Sequence, residues 1–533
     1  MARAFEVVRY SIDELKRLLA EKSGTDRKII DEKLHSAYFE SYFSFDEINA
    51  KTIIVENEYI DRDFLEDFAA YYVRCFTKYP KTCTRLHFFS IAFKSRAFKN
   101  LLRGGNNRLK QEILQRSYLG FVVIKPIPQT VIGRTCLKTY PSQTIGRNFP
   151  STQDYHVNLF GIPLIVKTLA FQEQDTVAAA CATSALWSVF QGTGRLFHHH
   201  IPSPVEITKF ATEHLPLETR AFPNEGLTLE QMAQAICKVG LEPLYISPRN
   251  PYVLKANLYA YLCGQIPVLM GVYLYDMSHD PPQQIEGKHA IAVMGFNLSS
   301  PPVQGYGNHN FRLRASRIEK VYAHDDQVGP FARMELASMN VKDANGATID
   351  SLPYLTTSWK GDDNKIGSIA AVPDLLLIPL YHKIRIPFNE IHSVVEAFFA
   401  FLENIRANGK MPIPSNIEWE IALSTVNEIK KEILASDHID PERRYDILTQ
   451  AMPRFVWRAS AFSNDTRLLD LLFDATDIKQ GQFFVRAIEY DLAISLILRA
   501  VSKVSALDAI YSTTQVMRII EWFRRQPLPN NHK

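Results

Sequence analysis

The chain has no Cys-x-x-Cys pair. Its six cysteines stand far apart, at 75, 83, 136, 181, 237 and 263 of 533 residues. That spacing argues against a zinc ribbon and against the disulfide framework of a small secreted domain. A reducing, cytoplasmic setting is expected, in which a thiol stays free to react. No apolar run approaches the roughly 18 to 20 residues that span a bilayer, so no membrane partner is expected. The N-terminal "MARAFEVVRYSIDELKRLL" turns polar too early for a secretory leader. Charge of one sign is also missing: 60 Lys and Arg against 57 Asp and Glu leave a net +3. Charge alone therefore points to neither nucleic acid nor an anionic membrane. Internal repeats and low-complexity tracts are absent as well.

What remains is ordinary folded-protein composition, 46% hydrophobic and 22% charged. The length exceeds what one core sustains, and three domains are expected, over residues 1–150, 151–340 and 341–533. In the first, a strand over about residues 3 to 9 precedes a helix that Ser11 and Glu14 mark as a capping box. Further strands and helices make it mixed α+β. In the second, "YHVNLF" and "IPLIVKTLAF" read as strands, "LTLEQMAQAICKVG" as an amphipathic helix closed by Gly240, and "VLKANLYAYLCG" as a helix. "PVLMGVYLY", "HAIAVMGFN" and "RIEKVYAH" then read as strands. Helices first and strands later is an α+β order. The third is α+β and rich in helix.

One stretch carries chemistry, "QEQDTVAAACATSALWSVF", Gln172 to Phe190. It is polar up to Thr176, then apolar and alanine-rich, with Cys181 at the start of a predicted helix. A thiol there feels the positive end of the helix dipole, which favours thiolate. A nucleophilic cysteine also needs a base, a group to orient that base, and donors for an oxyanion. Among the histidines, His289 stands at the mouth of the apolar strand "AIAVMGF". The next strand ends in His324-Asp325-Asp326. If the two strands are antiparallel neighbours, an acid at the end of one reaches a histidine at the start of the other. Gln174 stands shortly before Cys181, placed to donate its amide to an oxyanion.

Gln before Cys at a helix start, a distant His opening a strand and an acid ending the next strand together resemble the papain-like cysteine peptidases. The resemblance is closest to the bacterial branch that includes the double-glycine-leader peptidases, and it covers about residues 155 to 335. It implies a papain-like core between the two flanking α+β domains. Cys181 would be the nucleophile, His289 the general base, Asp325 the orienting acid and Gln174 the oxyanion donor. Strand phase is not readable to one residue, so Asp326 could replace Asp325. With Asp325 in the role, the Asp326 side chain is expected to point away. Gln174 lies seven positions before Cys181, one more than those enzymes usually have.

The implied function is a thiol hydrolase that cleaves a peptide or isopeptide bond in a peptide or protein substrate. The alternatives are an acyltransferase or transglutaminase-like enzyme on the same constellation, and an inactive peptidase-like scaffold for protein interaction. The flanking domains are expected to bind a regulatory protein partner or to gate the cleft. No cofactor and no metal are expected. Adjacent side chains diverge at His198, His199 and His200, and no carboxylate or cysteine pattern joins them. The basic and aromatic stretch "FKSRAFKNLLRGGNNRLK" reads as a solvated helix and turn. Cys136 and Cys237 read as packing residues, and Trp187 and Phe190 as core.

Overall fold

In a computed structural model the chain is mixed α+β, 37% helical and 34% strand. The structure describes residues 4–104, 109–141, 146–175, 180–213, 226–279, 282–300, 305–306, 310–342, 348–363, 365–409, 411–437, 439–479, 481–504 and 514–526. Two compact units form. The first comprises Met1–Pro251, Gln265–Asn297 and Glu319–Leu380; the second comprises Tyr252–Gly264, Leu298–Ile318 and Tyr381–Lys533.

The first unit opens as its sequence predicts. The Ser11 hydroxyl accepts the Glu14 N–H at 3.1 Å and starts the helix Ile12–Ser23. The Glu14 carboxylate does not complete the box but pairs with Arg17 at 2.8 Å. An antiparallel sheet then takes five strands in chain order: Phe5–Arg9, Thr52–Tyr59, Cys83–Phe89, Tyr118–Ile124 and Ile132–Leu137. Its last strand holds the segment that leads to Cys181. Phe171 exchanges both backbone hydrogen bonds with Thr135, and Glu173 N–H reaches the Ile132 carbonyl at 3.0 Å.

A closed barrel carries the histidine. Six strands, Val268–Asp276, Gln283–Leu298, Ile318–Asp325, Gly329–Lys342, Thr348–Thr356 and Ile369–Tyr381, bond in that order. The last pairs back onto the first, with Leu377 opposite Leu269 and Val372 opposite Tyr273. Closure leaves no free edge along the ring, the usual remedy for exposed strand edges. The strand of His289 begins six residues earlier than the apolar pattern suggests, at Gln283. Its polar start is exposed at Gln283, Gln284, Ile285, Gly287 and Lys288, and burial begins at His289. The polar-to-apolar change therefore marks where the strand enters the core, not where it starts.

The helix Cys181–Phe197 is buried over almost its whole length, which its run of Ala, Leu, Trp, Val and Phe requires. Trp187 and Phe190 are fully buried, as expected of core residues. The Trp187 indole N–H donates to Asp63 Oδ2 at 3.0 Å, so the large ring is buried without an orphaned donor. Gly192 lets the helix approach the first barrel strand. A Cβ there would lie 2.6 Å from the Pro267 ring, too close for any other residue without a shift.

In the second unit a four-stranded antiparallel sheet, Glu418–Thr425, Phe455–Ser463, Thr466–Asp474 and Phe484–Glu489, packs against two helices. The helices Val426–Ala435 and Pro441–Thr449 supply Ile429, Ile433 and Ile447 to a core shared with Val456, Leu472 and Ile488. Thr425 and Glu428 close a full capping box on the first of them.

All six cysteines are free thiols. Cys136 is buried as expected, but Cys237 is exposed, on the outer side of the helix Leu229–Lys238. An amphipathic pattern places a residue near the apolar face only to within about one position, and here the thiol falls outside. The basic stretch forms the helix Ser95–Leu102, of which Phe98 alone is buried; residues 105–108 lie outside the described ones. Among the described residues no helix is long and apolar enough to cross a membrane.

Candidate active site

Cys181 is the first residue of its helix. Ala180 precedes it with an extended backbone and offers no side-chain cap. The first-turn N–H groups therefore keep their donors for something other than a cap. The thiol is half-buried and lies close enough to the His289 side chain to help raise it.

His289 is buried, and its Nε2 lies 2.8 Å from Asp325 Oδ2. With Nε2 so engaged, Nδ1 is the ring nitrogen left to exchange a proton with the thiol. Asp325 is itself fixed from behind. Its Oδ1 accepts the N–H groups of Gln327 and Val328, each at 2.9 Å, so the turn after the strand aims Oδ2 at the ring. Trp359 packs edge-to-face on His289, ring centres 6.2 Å apart.

Burial alone would push the imidazole towards neutrality. The negative charge of Asp325, its hydrogen bond, the bond to Cys181 and the charge of Asp326 outweigh burial and raise His289 well above its ordinary value. Burial would likewise raise Asp325. The imidazolium, the bond to it and the two backbone N–H groups reverse the sign and hold Asp325 below the usual range. The pair is thus poised to carry charge on both sides.

Asp326 is placed otherwise than expected. Its side chain does not point away: Oδ1 lies 3.7 Å from His289 Nε2, beyond a hydrogen bond but on the same side of the ring. Both its oxygens are buried with no hydrogen-bond partner. Burial, with the charges of Asp325 and Glu173 adding to it, pushes its carboxyl up to about 7. The bend after Asp325 turns the chain back, so strand alternation does not carry through to Asp326.

The two glutamines lie in different places. Gln174 lines a cavity of about 470 Å³ together with Lys33, His35 and Glu173. Gln172 lines the narrow cavity that holds Cys181, beside Ser184 and Ala290. It is buried, and its Nε2 has no hydrogen-bond partner. Gln172 escaped the sequence reading because Gln174 sat nearer the spacing of the resembled enzymes. Residues 176–179, between both glutamines and Cys181, lie outside the described ones. Trp359 escaped too, since it stands 70 positions beyond His289 with no motif around it.

His324, between strand and acid, is a structural residue. Its Nδ1 accepts the Phe331 N–H at 3.1 Å and its Nε2–H donates to the Leu169 carbonyl at 3.0 Å, while burial holds it neutral with a pKa near 3. His198, His199 and His200 do not converge: His199 meets Thr193, and His200 meets Glu206. Among the described residues, two groups have donor atoms close enough to hold a metal ion, Asp276 with His279 and Asp362, and His289 with Asp325 and Asp326. In the first, the Asp276 oxygens are already bonded to the Ser278 and Asp362 backbone N–H groups.

No model of a known family matches the chain, and no curated protein matches it.

Proposed function

We propose that this protein is a cysteine peptidase of papain-like architecture, cleaving a peptide or isopeptide bond through an acyl-enzyme on Cys181. The observation that carries the reading is the bond of 2.8 Å from His289 Nε2 to Asp325 Oδ2, with the Cys181 thiol close enough to the ring to help raise it. In this mechanism Nδ1 of His289 takes the thiol proton, and the thiolate sulfur attacks the scissile carbonyl carbon. The same nitrogen then returns the proton to the leaving amine. Water, deprotonated by His289 in turn, attacks the thioester and frees the acid product. Asp325 keeps the ring in one tautomer and balances the imidazolium. The resemblance implies a helix after Cys181 packed against a sheet that carries His289, and the strand of His289 belongs here to the six-stranded barrel.

The oxyanion role passes in this reading from Gln174 to Gln172. A buried amide N–H₂ without a partner beside the thiol is costly unless a reacting group supplies the acceptor. The probe is 4-nitrophenyl acetate, whose acetyl group any exposed catalytic thiolate accepts. Gln172→Ala should slow the nitrophenol burst by about 10²-fold, as loss of one oxyanion donor does, with alkylation of Cys181 unchanged. Gln174→Ala should leave both rates within about twofold of the wild type.

The proposal as a whole is tested by comparing protein termini in cells expressing the wild type with those expressing Cys181→Ala. New termini that require Cys181 support a peptidase. Burst acylation without new termini favours the acyltransferase alternative, and neither favours the scaffold.

A further inference from the structure

The acid end of the site holds one carboxyl group more than a hydrogen bond to one imidazole uses. One carboxylate, Asp325, would orient His289. Asp326 stands beside it, 5% exposed, with both oxygens unpartnered and Oδ1 directed at His289 Nε2 from 3.7 Å. One donor atom from each of the three residues lies within 4.8 Å of the others. A buried carboxylate without a donor is costly, and the negative charge of Asp325 beside Asp326 raises that cost. A cation held by all three groups removes that cost.

We propose that His289, Asp325 and Asp326 form a Zn²⁺ site. Nε2 of His289, Oδ2 of Asp325 and an oxygen of Asp326 supply three protein ligands, and water supplies the fourth. One imidazole with two carboxylates suits Zn²⁺ better than Mg²⁺, which prefers all-oxygen sites and keeps its waters. The two N–H bonds to Asp325 Oδ1 hold that carboxylate in place as a supporting shell does. Asp326 also lines the 470 Å³ cavity with His35 and Gln174.

On binding, Zn²⁺ replaces the Nε2 proton, which goes to solvent. The ring then keeps its remaining proton on Nδ1, and giving that proton to a leaving amine would leave an imidazolate. Zn²⁺ would thus arrest turnover reversibly. This consequence rests on the peptidase reading; the binding does not.

The experiment therefore uses the Cys181→Ala protein and measures Zn²⁺ binding by calorimetry. One equivalent should bind, with Mg²⁺ failing to compete. Asp326→Asn, which keeps the shape of the side chain, should weaken binding at least about 100-fold, since even outer-shell changes cost 10 to 100-fold. Asp276→Asn, in the other cluster, should leave it unchanged. Co²⁺ added to the unmutated protein gives a second reading that does not depend on variant folding: a visible d–d band without thiolate charge transfer. The proposal is overturned if Cys181→Ala abolishes binding, if thiolate charge transfer appears, if Asp276→Asn abolishes binding, or if no Zn²⁺ binds. A peptidase reading lost through absent turnover would leave all these outcomes readable.

Discussion

Iodoacetamide should modify Cys181 of the wild type faster than any other thiol near neutral pH, and His289→Ala should slow that modification by about 10² to 10³-fold. The alkylating species is the thiolate, so the rate reports how much thiolate the pair maintains. His289 is raised well above its ordinary value by the charges of Asp325 and Asp326 and by its bonds, so the ring near Cys181 carries positive charge. Burial pushes the Cys83, Cys136 and Cys263 thiols up and makes them poor competitors, and Cys75 donates to the Tyr71 carbonyl at 3.9 Å. Cys237 is the one to watch, being exposed, but burial of part of its side chain and the nearby Glu242 charge raise it and leave it mostly protonated. Mass spectrometry of tryptic peptides under a chelator separates the two sites. Equal, slow labelling of Cys181 and Cys237, unaltered by His289→Ala, would favour the inactive scaffold.

The second large effect concerns the two acids. Asp325→Ala should lower the Cys181 acylation rate with 4-nitrophenyl acetate by roughly 10²-fold, within the range that placed acid–base groups contribute. The fold should survive, because the variant removes the hydrogen bond that orients His289 and leaves the pair in place. Asp326→Ala, which a strand-end reading puts near neutral, should cost several-fold. Its Oδ1 lies 3.7 Å from the same nitrogen and adds to the field on the imidazolium. The double variant should be slower than the product of the two single effects, because in Asp325→Ala the remaining carboxylate can swing the short distance to Nε2. Such non-additivity is expected of groups that share one partner. Strict multiplication of the effects would mean that Asp326 acts apart from the ring, and a larger loss in Asp326→Ala would exchange the roles.

Much of this was legible because local rules and local structure agreed. Ser11 starts the helix Ile12–Ser23, and Gly240, at a φ of +84°, ends the helix Leu229–Lys238 by donating its N–H to the Cys237 carbonyl. Each is a bond between groups three residues apart, which is a short-range event. Cys181 at a helix start and His289 where burial begins are readable for the same reason: a change from polar to apolar is written in adjacent residues.

Three features needed the fold. The barrel closes through strands Val268–Asp276 and Ile369–Tyr381, whose pairing joins residues about a hundred positions apart, and no local pattern records that distance. Trp359 reaches His289 only because the chain has gone around that ring. Asp326 faces His289 because the turn over residues 326–328 bends back to donate two N–H groups to Asp325, against the alternation of a straight strand. The choice between Gln172 and Gln174 belongs here too. Both are amides of equal chemistry two positions apart, and pairing of Phe171 and Glu173 with the strand Ile132–Leu137 decides which cavity each one lines. The sequence alone determined the reactive residue types and their order along the chain, because these depend on composition and near neighbours. Tertiary structure decided which atoms meet, because a hydrogen bond depends on tenths of an ångström between segments that only packing brings together.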